Sequence, residues 1–523
     1  MIDKIVIVGG GSSGWISASF LAKTFPDKEI VVVESPDIPT VGVGESTLAD
    51  VTNFRDYLGI NEEEFMKATD ASYKMSIKFT DFYDVNSGGF HYPFRTPDTT
   101  DTVLGLLDWM EIKAFYPETP VTDFVDSFFP HAQLFNQNKF NHNKFGLFGN
   151  WNPNSDVAYH FDATKFGAWL RDGYAIPRGV KLITANVLDA TLNDSGIETL
   201  ILNTGETITA DLFVDCTGFK SMLLNGYLKE PFKDYGHMLP NNRAWAVQLP
   251  YKDKENELEP FTNCTAHTNG WVWNIPLWSR LGTGYVYSDK YISKEDALEE
   301  FKLYLMSDKM IVPRTKEDIE NLSFKDIPMR IGIHERTWVK NVVALGLSAS
   351  FIEPLESNGL FSVFWFVTQL SKSLLRKEVS QLDRDIYNAS NQIVFNNLAE
   401  FISMHYALSV RRDSSYWLDI STREFSTDLK SKEVVTTTGY QNLVQTKMFN
   451  GMPQENYGIT YISTGMNYGL FDRVDQKLNI FNRNVKPYVD ANVAKFAEKK
   501  ARWAKAAEKS PSLYQYLKEK YYE

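Results

Sequence analysis

Cysteine is nearly absent: Cys216 and Cys264 are the only two in 523 residues, too few for a disulfide framework. The eight histidines lack the short spacings that zinc ligands need, so no metal centre is expected. Basic residues are in deficit, 54 against 66 acidic ones. A net charge of −12 argues against nucleic acid as a general partner, because phosphate binding needs clustered cations. Long apolar runs are missing too. The longest, residues 359–367, falls well short of the roughly 20 residues that span a bilayer, so no membrane partner is expected. Met1-Ile2-Asp3-Lys4 runs straight into a strand with no leader-like segment, which predicts a soluble, cytoplasmic protein. Repeats and low-complexity linkers are also lacking.

What is present is apolar and aromatic. Hydrophobic residues make up 43% of the chain and aromatic ones 14%, enough for a large core lined with rings. By length, two or three domains are expected.

The N-terminus carries the strongest local motif. Residues 4–8 form an apolar strand, Gly9-Gly10-Gly11-Ser12-Ser13-Gly14 a glycine-rich turn, and residues 15–24 a helix. A second strand, residues 29–33, ends at Glu34, 20 residues after Gly14. G-x-G-x-x-G alone is weak, but between a strand and a helix, with an acid closing the next strand, it indicates a dinucleotide site. Gly9, Gly11 and Gly14 let the backbone approach a pyrophosphate at the helix N-terminus, Ser13 lies in the same turn, and Glu34 can accept from a ribose. The spacing does not separate FAD from NAD. A second glycine-punctuated turn, residues 41–47 with Gly44 and Glu45, reads either as a helix-capping loop or as a loop along the cofactor.

A second turn organises the rest of the chain. After an apolar strand at 342–345 comes Gly346-Leu347-Ser348-Ala349-Ser350-Phe351-Ile352-Glu353-Pro354-Leu355-Glu356-Ser357-Asn358-Gly359, then a buried helix at 360–375. Lys372, Arg376 and Lys377 close that helix, where cations suit its dipole. Its near end presents free N–H groups, those of Asn358 and Gly359 among them, beside a carboxylate. That is an anion site.

Between these turns, Tyr73, Met75, Ile77 and Phe79 share one face of a period-2 strand and Lys74, Ser76 and Lys78 the other. Lysines on a polar strand face are ordinarily solvated. Residues 87–95 and 128–151 read as long loops, and 159–162 lead into a helix at 165–171. Residues 181–187, ending at Val187, and 198–202 read as strands, and 211–218 as a buried strand whose end, Gly218, returns toward the nucleotide. Trp271 and Trp273 lie on one face of a strand that continues through Ile275-Pro276, with a hairpin partner at 281–287. Ser293 to Asp296 caps a charged helix running to Met306, and helices follow around 391–408 and 491–509.

Taken together, these residues resemble the flavin-dependent halogenases, in particular the branch typified by the tryptophan halogenases. The resemblance is carried by the fingerprint continuing into Gly14-Trp15, by Gly42-x-Gly44-Glu45-Ser46-Thr47, and by Lys74 in Tyr-Lys-x-x-Ile-x-Phe. It continues in Trp271-x-Trp273-x-Ile275-Pro276, in Phe351-x-x-Pro354-x-x-Ser357-x-Gly359 around Glu356, and in the stretches at His405-Tyr406 and 412–417. Asn358 stands where the tryptophan halogenases usually have threonine.

The resemblance implies an α/β (mixed α+β) chain. A Rossmann-like FAD-binding domain of the GR2, flavin-monooxygenase-like type (1–90, 155–225 and 325–380) would interleave with a substrate-binding sheet and helical module (91–154, 226–324 and 381–523). It implies FAD used as FADH2, supplied by a separate flavin reductase, with O2 and a halide ion. Gly9, Gly11, Ser13, Gly14, Glu34, Gly44, Glu45, Val187 and Gly218 would bind the cofactor. Asn358 and Gly359 would bind chloride, bromide or iodide, which is oxidised to hypohalous acid. Trp271, Trp273, Ile275, Pro276 and Ser357 would line the flavin side of a tunnel. Lys74 would hold the oxidant against a small, electron-rich aromatic substrate with Glu356 beside it, and Lys78 would stay solvated. A homo-oligomer is left open. The alternatives are a flavin monooxygenase that hydroxylates its ring, and a flavoprotein without catalysis.

Overall fold

The computed structural model describes residues 2–38, 44–94, 104–143, 148–149, 151–423, 461–467 and 484–523. Residues 41–43 of the second glycine turn, Arg95, and residues 144–147 and 150 of the expected second loop lie outside them.

One side of the molecule is a six-stranded sheet. Lys4–Val8 lies at its centre, parallel to both Glu29–Glu34 and Leu212–Asp215. Lys181–Thr184 extends it in parallel beyond the former and Val342–Ala344 beyond the latter, while Trp338–Val339 closes one edge antiparallel. The inner strands are apolar without alternation because both of their faces are buried. The first helix, Ser12–Thr24, begins earlier than its apolar residues suggest and takes Gly14 into its first turn. A Cβ on Gly14 would stand 1.9 Å from the Gly9 carbonyl oxygen, so only glycine allows the helix to start this close to the strand. The helix Gly359–Leu374 packs beside Ser12–Thr24, and Phe364 stacks on Phe54 with ring centroids 4.4 Å apart. This is the expected Rossmann-type unit.

The other side is a seven-stranded sheet ordered Lys325–Pro328, Arg243–Leu249, Leu281–Tyr287, Gly270–Pro276, Phe261–His267, Ser76–Thr80, Gly89–Pro93. All neighbours are antiparallel except Phe261–His267 with Ser76–Thr80. A small third sheet, in which Ala158–Phe161 pairs with both Glu45–Ser46 and Ser72–Lys74, stands between the two.

Several elements differ from their expected form. The period-2 run through Lys74 is two strands in different sheets: Ser72–Lys74 ends, the Met75 N–H donates to the Pro260 carbonyl at 2.7 Å, and Ser76 starts a strand of the large sheet. Side-chain alternation survives such a switch because it belongs to the extended backbone, whereas the hydrogen-bond partner does not. Both of its faces are covered. Residues 89–93 form a strand rather than a loop, and the region from 128 includes the short helix Ala132–Phe135. The run 181–187 divides into Lys181–Thr184 and a new strand, Val187–Asn193, which pairs with Gly196–Leu202 in a separate three-stranded sheet. The late helices are longer, Gln381–Ala407 and Lys486–Glu508. No described helix is long and apolar enough to cross a membrane.

Candidate active site

Three loops meet at the carboxyl ends of the parallel strands, where open α/β sheets bind their ligands. Gly9, at φ +118°, passes so close to the strand end that a Cβ would lie 2.2 Å from the Cys216 carbonyl oxygen. Gly346, at φ +61°, leaves room for Ser13 Oγ in the same way, and the Ser348 hydroxyl donates to the Gly218 carbonyl at 3.2 Å. The fingerprint, the end of the 212–215 strand and the start of the long turn are therefore held together by close backbone approach and by the Ser13 and Ser348 side chains.

This end fits a dinucleotide. A Cβ on Gly11 would meet nothing within 4 Å, so the space in front of the helix N-terminus is free. That terminus has no side-chain cap and no acid in its first turn, leaving N–H groups and dipole for a phosphate. Glu34 lies over Gly10, with Arg171 Nη1 3.6 Å from its Oε2. Val187 follows Thr184, which pairs with Glu34, so it sits at the same end of the sheet. Glu45 pairs with Phe161, and burial, with Asp162 nearby, pushes its carboxyl up to about 7.

The second cluster is built from side chains brought together from distant parts of the chain. Lys74 is fully buried. Its Nζ donates to Ser357 Oγ at 2.7 Å and to the Thr47 carbonyl at 2.8 Å, and stands 4.8 Å from the centre of the Phe94 ring. Burial lowers its pKa to about 7, with Glu356 opposing the shift, so neutral amine and ammonium are both populated near neutral pH. The Ser357 hydroxyl donates onward to Ser46 Oγ at 3.0 Å, and Ser46 contacts Thr262. Ser357 sits at φ +58°, the left-handed region, turning the chain sharply between Glu356 and Asn358. Glu356 is buried, and burial raises its carboxyl while His405 and Lys74 pull it back. Its Oε1 is 2.8 Å from His405 Nε2 and its Oε2 has no hydrogen-bond partner.

Trp271 and Trp273 stand side by side, ring centroids 6.1 Å apart, and both are buried. The Trp271 indole N–H donates to Glu353 Oε2 at 2.8 Å, an oxygen that also accepts from Asn241 and Tyr406. Ile275 and Pro276 are buried in the same strand, and the Pro276 carbonyl accepts from Ser72.

The helix Gly359–Leu374 suits a halide at its start. Its first turn holds no acid, and Asn358 lies at its mouth without capping it. The Asn358 side-chain Nδ2 is buried and has no hydrogen-bond partner, and a Cβ on Gly359 would meet nothing within 4 Å.

The structure thus places Lys74, Glu356, Ser357, Asn358 and Gly359 around one turn. Lys78, expected in solvent, is half-buried with Nζ 5.6 Å from the Phe261 ring centre. Thr47, Phe94 and Cys264 had no assigned role, and Glu353 and His405 stood only inside motifs. Thr47, Phe94 and His405 reach the site from elements distant in sequence, so no single stretch shows them together.

A family model described as tryptophan halogenase matches residues 4–467, nearly the whole chain. The chain belongs to the tryptophan halogenase family. It is 34% identical over 487 residues to the tryptophan 6-halogenase SttH of Streptomyces toxytricini, covering 88% of this chain and 89% of that protein. To the tryptophan 7-halogenase RebH of Lentzea aerocolonigenes it is 34% identical, covering 80% and 78%. Among solved structures, VirX1 in its apo form superposes with a TM-score of 0.87 at 33% identity, covering 100% of both chains. This member of the family is a flavin-dependent halogenase that uses FADH2, O2 and halide.

Proposed function

We propose that this halogenase places the halogen of hypohalous acid on an electron-rich indole- or phenol-like ring, with Lys74 holding the oxidant and Glu356 receiving the ring proton. The observation that carries the reading is Lys74 itself: a fully buried lysine whose Nζ is bound by Ser357 one residue before the halide turn. Burying an ammonium is unfavourable by several kcal/mol in general and serves no packing purpose here. A pKa near 7 lets the group act either as donor to the oxidant or as an amine nucleophile.

The bound flavin, delivered reduced by a separate reductase, supplies the O2 chemistry that oxidises the halide. Gly9, Gly11, Ser13, Gly14, Glu34, Gly44, Glu45, Val187 and Gly218 would hold it. Asn358 and Gly359 keep the halide partly desolvated through N–H groups that do not neutralise it. Trp271 and Trp273, with Ile275, Pro276 and Ser357, wall off the flavin side, so the ring meets only the released oxidant. Lys74 polarises the oxidant by hydrogen bonding and Glu356 accepts the proton lost when the ring regains aromaticity. The fold divides accordingly, with 1–90, 155–225 and 325–380 serving the flavin and the remaining segments the substrate. SttH and RebH are named for tryptophan; the ring class proposed here includes its indole.

The test supplies reduced FAD, O2 and chloride, bromide or iodide with a panel of indoles and phenols, with catalase and an enzyme-free control to remove free-hypohalite chemistry. Halogenated product from the wild type, lost in Lys74→Ala with FAD binding retained, is expected; hydroxylated product or an active Lys74→Ala overturns the reading.

A further inference from the structure

His405 is fully buried, and both nitrogens of its ring are engaged. Nδ1 lies 3.0 Å from the carbonyl oxygen of Phe401, four residues back in the same helix, and Nε2 lies 2.8 Å from Glu356 Oε1. A carbonyl oxygen only accepts, so Nδ1 must carry a hydrogen. In a neutral imidazole Nε2 is then a bare lone pair. A lone pair facing a carboxylate oxygen at hydrogen-bond distance is repulsive, so the contact requires a proton between them. Either Glu356 is the acid donating to Nε2, or His405 is the imidazolium donating to a carboxylate. Both forms contain the same one proton.

The surroundings keep that proton in place. The rings of Phe79 and Phe401 pack on the imidazole with centroids at 4.7 and 5.3 Å, excluding water from it. The titratable groups that face Glu356 from other elements are Lys74, Tyr92 and Cys264, and Glu353 lies one turn earlier. Tyr406, next to His405, holds Glu353 as His405 holds Glu356, so two consecutive residues of one helix clamp the two carboxyls of the turn. Glu353 Oε2 has three donors. Glu353 Oε1 and Glu356 Oε2 are both buried without a partner, but Glu356 has a single partner on its other oxygen and lies beside Lys74. An unsatisfied buried carboxylate oxygen is destabilising and calls for an explanation.

We propose that Glu356 and His405 form a one-proton dyad, in which His405 keeps the proton on the Oε1 side so that Oε2 is free as the base for the ring. The inference rests on the roles just given to Lys74 and Glu356 and makes His405 a positioning residue for the base. In the step it serves, the ring π electrons bond the halogen, the X–O bond breaks, and the leaving hydroxide takes a proton from the Lys74 ammonium to become water. The halogenated ring cation then loses its proton to Glu356 Oε2, and the C–H electrons restore the aromatic ring. The dyad now holds two protons, one on Oε2 and one on Nε2. Return of one to the neutral Lys74 amine resets the site, and the sum is ArH + HOX → ArX + H2O.

His405→Gln tests this, because the amide still donates to Oε1 but has no proton to exchange. FAD affinity and the KM for the ring are expected within about threefold of wild type, while kcat near neutral pH falls about tenfold. Without the imidazolium, Glu356 is easier to protonate, so the acid limb of the kcat profile moves up by about one pH unit and alkaline pH restores part of the rate. A profile that superimposes on wild type, or one lowered equally at every pH, overturns the dyad. If Lys74→Ala and Glu356→Gln are inactive while His405→Gln is indifferent, the dyad fails and the proposed function stands; if those two variants remain active, the site reading itself fails. Independently of turnover, 15N NMR of the histidine-labelled apoprotein should show a protonated Nδ1 for His405, assigned by loss of the signal in His405→Gln or, should that variant not fold, in His405→Asn. A bare Nδ1 overturns the inference.

Discussion

The two ends of the site are built by opposite means. At the glycine-rich end, three loops touch through backbone atoms and two serine hydroxyls, and the close approaches fall at glycines whose missing side chains leave room. At the amine end, Lys74, His405 and the adjacent pair Glu356 and Ser357 come from three elements, all buried, with Lys74 bonded to Ser357 and His405 to Glu356. On the proposed function, the first end holds its cofactor by shape and dipole. The second stores unfavourable electrostatics for chemistry. Substitutions should therefore break the first by adding atoms and the second by removing charge.

The largest structural effect is expected for Gly14→Ala, whose Cβ would stand 1.9 Å from the Gly9 carbonyl oxygen. Loss of at least about 3 kcal/mol of stability and of FAD retention should follow, read by denaturant unfolding and flavin absorbance of the purified protein. Opposite in sign is Lys74→Met. The folded pKa of Lys74, about 7, lies below the ordinary lysine value of about 10.4, so its charge opposes folding. That penalty is full below about pH 7 and fades as pH rises toward the unfolded value. The variant should be more stable than wild type by a few kcal/mol at neutral pH and by less at pH 10, while inactive; a stability gain that does not shrink with pH contradicts the buried-charge account. A smaller effect belongs to Gly11→Ala. Nothing lies within 4 Å of the added carbon, so the apoprotein should unfold as wild type while FAD affinity falls about tenfold, measured by titration. Least of all is Lys78→Ala, on the same side-chain face as Lys74 by alternation yet only half-buried; turnover should stay within about twofold.

The flavin end was legible because its information is contiguous: strand, glycines, helix and acid follow one another within 34 residues. The turn that opens the helix Gly359–Leu374 and the strand carrying Trp271 and Trp273 were legible for the same reason. The amine end was only half so. Alternation puts Lys74 opposite Tyr73 and Met75, but it does not tell a solvent face from a second covered one, and only the family resemblance singled out Lys74 over Lys78. The strand at 89–93 was hidden by glycines and a proline that read as loop, although its edge position tolerates them. His405 lies 49 residues from its partner Glu356, and no local pattern joins them.

The single-residue passage from one sheet to another at Met75 has a consequence for regiochemistry. The amine is anchored where the small third sheet and the seven-stranded sheet join, and its bond to Ser357 ties it to the long turn. On the proposed function, which carbon of the ring meets it is set by the side chains that seat the substrate, and Tyr92, packed against Phe401 and Tyr461 and in electrostatic contact with Glu356, is the first to vary. Substitution at Tyr92 is then expected to redirect the halogen to a different carbon while Lys74 keeps its place.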